Sequence, residues 1–249
     1  MGLLQVGMGC GVGLGPVIGG ALADAFGYQA AFYVTSALLA ISGTIVFFGV
    51  EETFVAPDAA GGRRPGLGSE WRHIFAAPGV LATYSLRFTD SLVRMLFIPI
   101  LPLFALELIA EATGVNSFTG LVIGSAAAAA AVFAVVFGRL GDRIGHRWIV
   151  ITCCLLGSGS FLLQSMATSA WYFLFLQVAA GIAHGGVITG VSALLARYTE
   201  CGEEGSVYGL DNSINAGARA LAPMIGVSIA IWLDLRAVFS AAALLYLMA

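Results

Sequence analysis

Long apolar runs alternate with short polar or glycine-containing breaks along the whole chain. Eight runs stand out, at 1–22, 28–50, 79–106, 115–138, 147–167, 171–196, 206–233 and 236–249. Within each run the apolar residues are continuous rather than alternating, which argues against a β-barrel and predicts helices. A bilayer core of roughly 30 Å takes about 20 helical residues. The last run, with 14 residues, is short by that measure. The pattern predicts an all-α polytopic membrane protein, a helix bundle with about eight spans.

Composition supports lipid as the solvent. Only 10% of the 249 residues are charged and 59% are hydrophobic, with a mean hydropathy of +0.94. A water-soluble domain carries about 25% charged residues, and a chain of this length has no polar shell in which to bury eight apolar helices. The 33 glycines would mark loops in water. In lipid, small residues let helix backbones approach one another, so a packed bundle is expected, with membrane lipids as its surroundings.

Charge placement sets a sidedness. All 11 basic residues are arginines. Arg63, Arg64, Arg72, Arg139, Arg143, Arg147 and Arg197 lie in alternate connections, against Arg236 alone in the others. Seven against one places the arginine-rich connections and the N-terminus in the cytoplasm, in an inner or plasma membrane. The connection 51–78 holds Pro57, Gly61, Gly62, Pro65, Gly66 and Gly68 and reads as a flexible cytoplasmic linker, with Trp71–Phe75 as a short interfacial helix. It divides the chain into 1–50, with two spans, and 79–249, with six.

Several chemistries have no support. No basic patch interleaved with aromatics points to nucleic acid. Cys10, Cys153, Cys154 and Cys201 lack disulfide-framework or metal-ligand spacing. The glycine-rich stretches lack the Walker lysine of a phosphate loop. No cofactor, metal or enzyme reaction is expected.

An internal repeat relates the two ends. Gly13-Leu14-Gly15-Pro16-Val17-Ile18-Gly19 aligns with Ala220-Leu221-Ala222-Pro223-Met224-Ile225-Gly226 at an offset of 207 residues, and Ala30 and Phe32 meet Ala237 and Phe239 at the same offset. Both copies read as a helix with a small face and an internal proline, then an outward turn, then another helix. The face around Gly15 and Pro16 is expected to pack closely, so that Gly15→Leu disrupts it.

Ionisable residues inside apolar spans are the candidate site. A lone Arg or Asp near the bilayer centre costs about 2.5–3.5 kcal/mol. Arg87, Asp90 and Arg94 share one helix face at spacings of three and four, so that one carboxylate sits between two guanidinium groups. Asp90 and Arg94 read either as lining a central cavity, for substrate or charge stabilisation, or as a structural ion pair. The flanking arginines disfavour Asp90 as a proton carrier. Asp211, Asn212, Asn215 and Arg219 form a polar stripe on the seventh span, with Arg219 a candidate partner for Asp90. His184 stands mid-span beside Gly185 and Gly186. It belongs to the residue type that changes charge near neutral pH, although a packing histidine is the plainer reading. Gln164 and Gln177 read as interhelical glue, Trp171 and Tyr172 as an aromatic belt, and Pro99 and Pro102 as a bend in the third span. The run Ala126–Ala131 suits either close packing or a lipid face.

The segment Gly138-Arg139-Leu140-Gly141-Asp142-Arg143-Ile144-Gly145-His146-Arg147 reads as a tight loop. Its glycines reverse the chain. Asp142 is placed to accept from helix N-terminal amides, the start of the seventh span among them, and Arg143 and Arg147 to pair with acids or anionic headgroups.

These motifs together resemble the major facilitator superfamily, in particular its drug–proton antiporter branch. Gly11–Leu22, with Gly15-Pro16 and Gly19-Gly20, is similar to the antiporter motif of helix five. Gly138–Arg147 is similar to the loop motif G-x-L-x-D-R-x-G-R-R/K between helices eight and nine, with His146 where a basic residue is usual. Glu51-Glu52-Thr53 is similar to the exit of helix six. The resemblance implies helices five to twelve of a twelve-helix fold: 1–50 as the last two helices of the N-terminal bundle, 79–249 as the C-terminal six-helix bundle, and an N-terminally truncated unit. It implies a conformational latch at Gly138, Gly141, Asp142, Arg143, Gly145 and Arg147, and leak suppression at Gly15, Pro16, Gly19 and Gly20. The expected function is secondary active transport by alternating access, with proton-coupled efflux of a small amphipathic solute or drug. The alternative is a nontransporting membrane scaffold or inactive transporter fragment, or one that pairs with a partner chain.

Overall fold

The computed structural model describes residues 2–49, 79–109, 114–198 and 204–249. The linker 51–78 with its arginines, the Trp71–Phe75 helix, the Glu51-Glu52-Thr53 motif, Cys201 and the side chain of Cys10 lie outside what is described. Nine helices follow in order among the described residues: α1 Gly2–Phe26, α2 Tyr28–Gly49, α3 Val80–Leu96, α4 Leu101–Ile109, α5 Val115–Ile144, α6 His146–Ser165, α7 Ala170–Tyr198, α8 Glu204–Trp232 and α9 Leu235–Met248. Five are long and apolar enough to cross a membrane, or six when α3 and α4 count as one bent span. Gly11–Phe26 and Leu235–Met248 are shorter apolar helices. The fold is thus an all-α polytopic membrane bundle with five to six such spans.

The helix ends follow from local chemistry. Gly27, Gly79, Gly114 and Gly145 adopt positive φ, a conformation that costs other residues a Cβ clash. At Gly27 a single residue separates α1 from α2. Between α3 and α4 the axis bends by 47°, where Pro99 supplies no N–H and Pro102 fits the first turn of the new helix.

The segment 138–147 departs from the expected loop. Residues 138–144 continue α5, and the reversal is confined to Gly145, whose N–H donates to the Gly141 carbonyl at 2.9 Å. Gly138 and Gly141 act as packing glycines instead. A Cβ on Gly141 would sit 2.8 Å from the His146 ring, and one on Gly138 would sit 3.3 Å from Thr189 Cγ2.

The core belongs to the segment from α3 onward. Phe97, Phe104, Phe161, Phe173 and Phe239 interlock near one end, with Phe104–Phe239 centroids 4.9 Å apart and Phe104–Phe173 centroids 5.1 Å apart. Between α5 and α7 the backbones meet at two glycines of α7. A Cβ on Gly181 would strike the backbone of Ala126, and one on Gly185 that of Ala130. Within the alanine run, Ala126 and Ala130 pack against these glycines, while Ala128 and Ala131 are exposed. Large apolar side chains such as Phe47, Phe48, Leu155, Phe175 and Ile231 face outward, which suits hydrocarbon surroundings.

α1 docks on α5 through backbone. A Cβ on Gly20 would meet the Asn116 carbonyl, one on Gly120 the Pro16 carbonyl, and one on Gly124 would come within 2.5 Å of the Gly13 carbonyl oxygen. These contacts descend antiparallel at intervals of about four residues. Asp24 closes the junction, accepting from Asn116 Nδ2 at 2.8 Å and from the Ser117 amide at 2.6 Å in the first turn of α5. Tyr28 donates to Asn116 at 2.9 Å. The close-packing expectation at Gly15 is corrected. Gly15 and Gly19 have nothing within 4 Å of a built Cβ, because the docked face runs through Gly13, Pro16, Val17 and Gly20. Gly120→Leu is therefore expected to destabilise the protein by about 1–3 kcal/mol through overpacking, with Gly15→Leu near neutral. Thermal unfolding of the two variants in detergent checks this, and equal midpoints would refute the assigned face.

Candidate functional site: a buried ionic network

Polar side chains of α3 are drawn to two different neighbours, which the single-helix pattern does not reveal. Toward α8 they form a ladder. Tyr84 donates to the Val207 carbonyl at 3.2 Å, Arg87 pairs bidentately with Asp211 at 3.1 and 3.2 Å, and Ser91 donates to Asn215 Oδ1. Asn215 in turn donates to Asp211 at 3.2 Å. Residue numbers rise together across the rungs, so α3 and α8 run parallel. Gly226 completes the seam, since a Cβ there would run into the Leu96 carbonyl.

Toward α7 and α9 the same helix presents Asp90 and Arg94. Asp90 is 1% exposed. Its Oδ1 lies 2.9 Å from His184 Nδ1 and accepts from the Tyr246 hydroxyl at 2.6 Å. On the far side of the imidazole, His184 Nε2 meets Arg94 Nη1 at 2.5 Å. Arg94, His184, Asp90 and Tyr246 thus form one line across three helices.

The structure joins five of the expected residues and separates the others. Asp90, Arg94 and His184 meet in one cluster, and Asp211 and Asn215 in the other. Asp90 does not bridge two guanidiniums, because Arg87 reaches across to Asp211 instead. Nor does Arg219 find Asp90: Arg219 and Asn212 lie on the exposed side of α8, while Asp90 is enclosed by His184 and Tyr246. Tyr246 was not anticipated. Its only signal is a phenol in the mostly apolar final run, where a buried hydroxyl needs a partner. The glue expected of Gln164 and Gln177 is also corrected. Both Gln164 amide atoms and Gln177 Oε1 are buried without a hydrogen-bond partner.

The two ends of the bundle are polar in different ways. At one end Arg236 donates to the Ser165 and Ala167 carbonyls at 3.2 and 2.8 Å and to Glu107 at 3.0 Å, and it caps the Phe104 ring at 5.5 Å. It ties α4, α9 and the α6–α7 turn together. At the other end, an open cleft of about 670 Å³ lies between the α5–α6 turn and Ala193–Arg197 of α7, lined by Asp142, His146, Arg147 and Arg197 among others. Asp142 is exposed, 3.8 Å from His146 Nε2. The turn therefore faces the end of α7.

Among the described residues no group of His, Cys, Asp and Glu is arranged to hold a metal ion. Cys153 and Cys154 are free thiols buried in α6.

The comparisons agree with this architecture. The chain is 29% identical over 246 residues to the uncharacterized MFS-type transporter YuxJ of Bacillus subtilis strain 168, covering 99% of this chain and 62% of that protein. It is 27% identical over 246 residues to the multidrug resistance protein MdtG of Salmonella heidelberg strain SL476, covering 96% of this chain and 59% of that one. The MdtG protein of Salmonella typhimurium is 26% identical with the same coverage. The chain thus spans about 60% of the length of these relatives. The Major Facilitator Superfamily model matches residues 1–108 and 83–249, which is a transporter family and not an enzyme family. With a helix bundle carrying buried charges and a family model matching it from end to end, this chain belongs to the Major Facilitator Superfamily.

Proposed function

We propose that the protein takes part in proton-coupled efflux of a small amphipathic solute by alternating access. The observation that carries this reading is the Arg94–His184–Asp90–Tyr246 line. Ionisable side chains inside a membrane bundle are expensive and mark substrate or ion pathways, and this line joins a guanidinium, an imidazole, a carboxylate and a phenol by direct contacts. The multidrug-resistance name of the MdtG relatives supports a lipophilic solute and outward movement.

In this reading α1–α2 are the last two helices of one bundle, and α3–α9, with α3 and α4 as one crossing, form the six-helix second bundle. Eight crossings result, including α1 and α9. Residues 51–78 are the cytoplasmic linker, and the arginine-rich ends face the cytoplasm of a cell inner or plasma membrane. The segment 138–147 serves as the latch, with His146, Asp142 and Arg147 against the end of α7. Asp211, Asn215 and Arg87 brace the site, while Asn212 and Arg219 face the solute path. The backbone contact of α1 with α5 lets the bundles rock without opening a leak.

The test is flux. The full chain, reconstituted in liposomes with an imposed pH gradient, should drive counter-movement of a fluorescent lipophilic cation, and collapse of the gradient by a protonophore should abolish it. Gradient-independent permeability equal to that of empty liposomes would reject the reading and favour a nontransporting scaffold.

A further inference from the structure

We propose that His184 Nε2 is the proton-binding atom of the bundle, and that a proton there displaces the Arg94 guanidinium. The proposal rests on the transport reading for its purpose but on hydrogen-bond chemistry for its substance.

The contacts of His184 admit one protonation pattern. Arginine is a donor at every nitrogen and has no acceptor. Nε2, 2.5 Å from Arg94 Nη1, must therefore offer its lone pair. The ring hydrogen then sits on Nδ1 and is donated to Asp90 Oδ1 at 2.9 Å. Asp90 Oδ1 also accepts from Tyr246, so that oxygen serves two donors. The opposite neutral tautomer would set a lone pair against the carboxylate and a hydrogen against the guanidinium. The imidazolium keeps its bond to Asp90 but sets N–H against N–H, and cation against cation, on the Arg94 side. A proton and Arg94 thus compete for a single lone pair. Uptake changes the cluster from net zero (Asp90, Arg94 and neutral His184) to net plus one, and Arg94 is the member free to move because its stem is long and flexible.

Among the described residues no neighbouring group relieves that competition. On α3 the nearby charges are Asp90, Arg94 and Arg87, the last engaged with Asp211 of α8. From α9 comes Tyr246, spent on Asp90. From α6 come Cys153, whose sulfur lies against Gly186, and Cys154. α5 faces this part of α7 with Ala126, Ala130 and Phe137 and carries no ionisable residue between 115 and 138. Glu107 of α4 is held by Arg236 at the far end.

The device fits an exchanger of protons for cations. A proton-loaded cluster with a released guanidinium repels a cationic solute. An unloaded cluster, its guanidinium docked on the imidazole, does not.

Nitrogen-15 NMR of the full chain in lipid nanodiscs, labelled at its three histidines, reads this directly, with His184→Gln used only to assign the signal. In its neutral form His184 should show a protonated Nδ1 and a bare Nε2 in contact with the Arg94 side chain. On acidification Nε2 should gain its hydrogen, and the Arg94 correlation should vanish over the same pH range. A neutral ring carrying its hydrogen on Nε2, or an Arg94 contact that persists once both nitrogens are protonated, overturns the proposal. These spectra do not depend on flux. Silent liposomes with the expected spectra would remove the transport reading and leave the exchange standing, whereas active liposomes with the wrong tautomer would do the reverse.

Discussion

Asp90→Ala is expected to lower the unfolding free energy by about 2–5 kcal/mol. Asp90 Oδ1 serves two partners at once, the His184 ring nitrogen at 2.9 Å and the Tyr246 hydroxyl at 2.6 Å. Alanine leaves both donors in an apolar interior, and each unsatisfied buried donor costs about 1–3 kcal/mol. It also removes the carboxylate whose charge Arg94 and His184 share. Asp90→Asn separates these effects. The amide keeps one acceptor oxygen with two lone pairs, enough for both donors, but carries no charge, so its loss should be smaller, about 1–2 kcal/mol. Tyr246→Phe removes a donor together with its hydrogen bond and should be milder still, since no buried polar atom is orphaned when Asp90 keeps its bond to His184. Unfolding in mixed micelles, followed by helical circular dichroism, ranks the three variants. A Tyr246→Phe loss equal to that of Asp90→Ala would show that the carboxylate is not the hub.

The bundle was legible in the sequence because hydrocarbon imposes a coarse rule: long apolar runs become helices. The α1–α2 turn fell where the run broke at Gly27, and the bend of the third span fell at its prolines. The loop motif misled, because glycine has two uses. Gly138 and Gly141 look like chain breakers, but in a bundle they are places where Thr189 and the His146 ring come close, and the helix continues through them to Ile144. The same ambiguity affected Gly15. A small residue offers a close approach in sequence, and only the rotation of the helix decides whether Gly13 and Gly20 or Gly15 and Gly19 receive the neighbour.

The site was legible as a set of residues and not as a set of bonds. A charge in an apolar run declares itself by its cost, so Asp90, Arg94, His184, Asp211 and Asn215 could be found by inspection. Spacing along one helix then suggested Arg87–Asp90–Arg94 as a self-contained trio. The longer-range geometry is different, because partners on other helices offer bonds that cover both lone pairs and donors, whereas neighbours on one helix compete for the same face. Tyr246 escaped notice because a phenol carries no charge to betray it.

The second large effect is expected at the ladder between α3 and α8. Arg87 and Asp211 are paired through two hydrogen bonds with side-chain exposures of 14% and 11%. Asp211→Ala strands a guanidinium in that setting and removes the acceptor that Asn215 uses. Breaking one side of a buried pair costs about 3–5 kcal/mol. Arg87→Met combined with Asp211→Leu removes both charges and fills the space with apolar atoms, so most of that loss should be recovered, leaving a net change of about 1 kcal/mol or less. The comparison tests more than stability. Both the ladder and the Asp90 line hang on α3, with Arg87 and Asp90 less than one helical turn apart. If α3 is a shared strut, Asp211→Ala and Asp90→Ala should be non-additive by 0.5 kcal/mol or more in a double-mutant cycle, as residues in one network are. The charge-free double variant should then keep the His184 contacts intact while changing only the α8 side. Additive losses would mean that the two clusters act separately, and that what happens at His184 reaches α7 and α9 without moving α8.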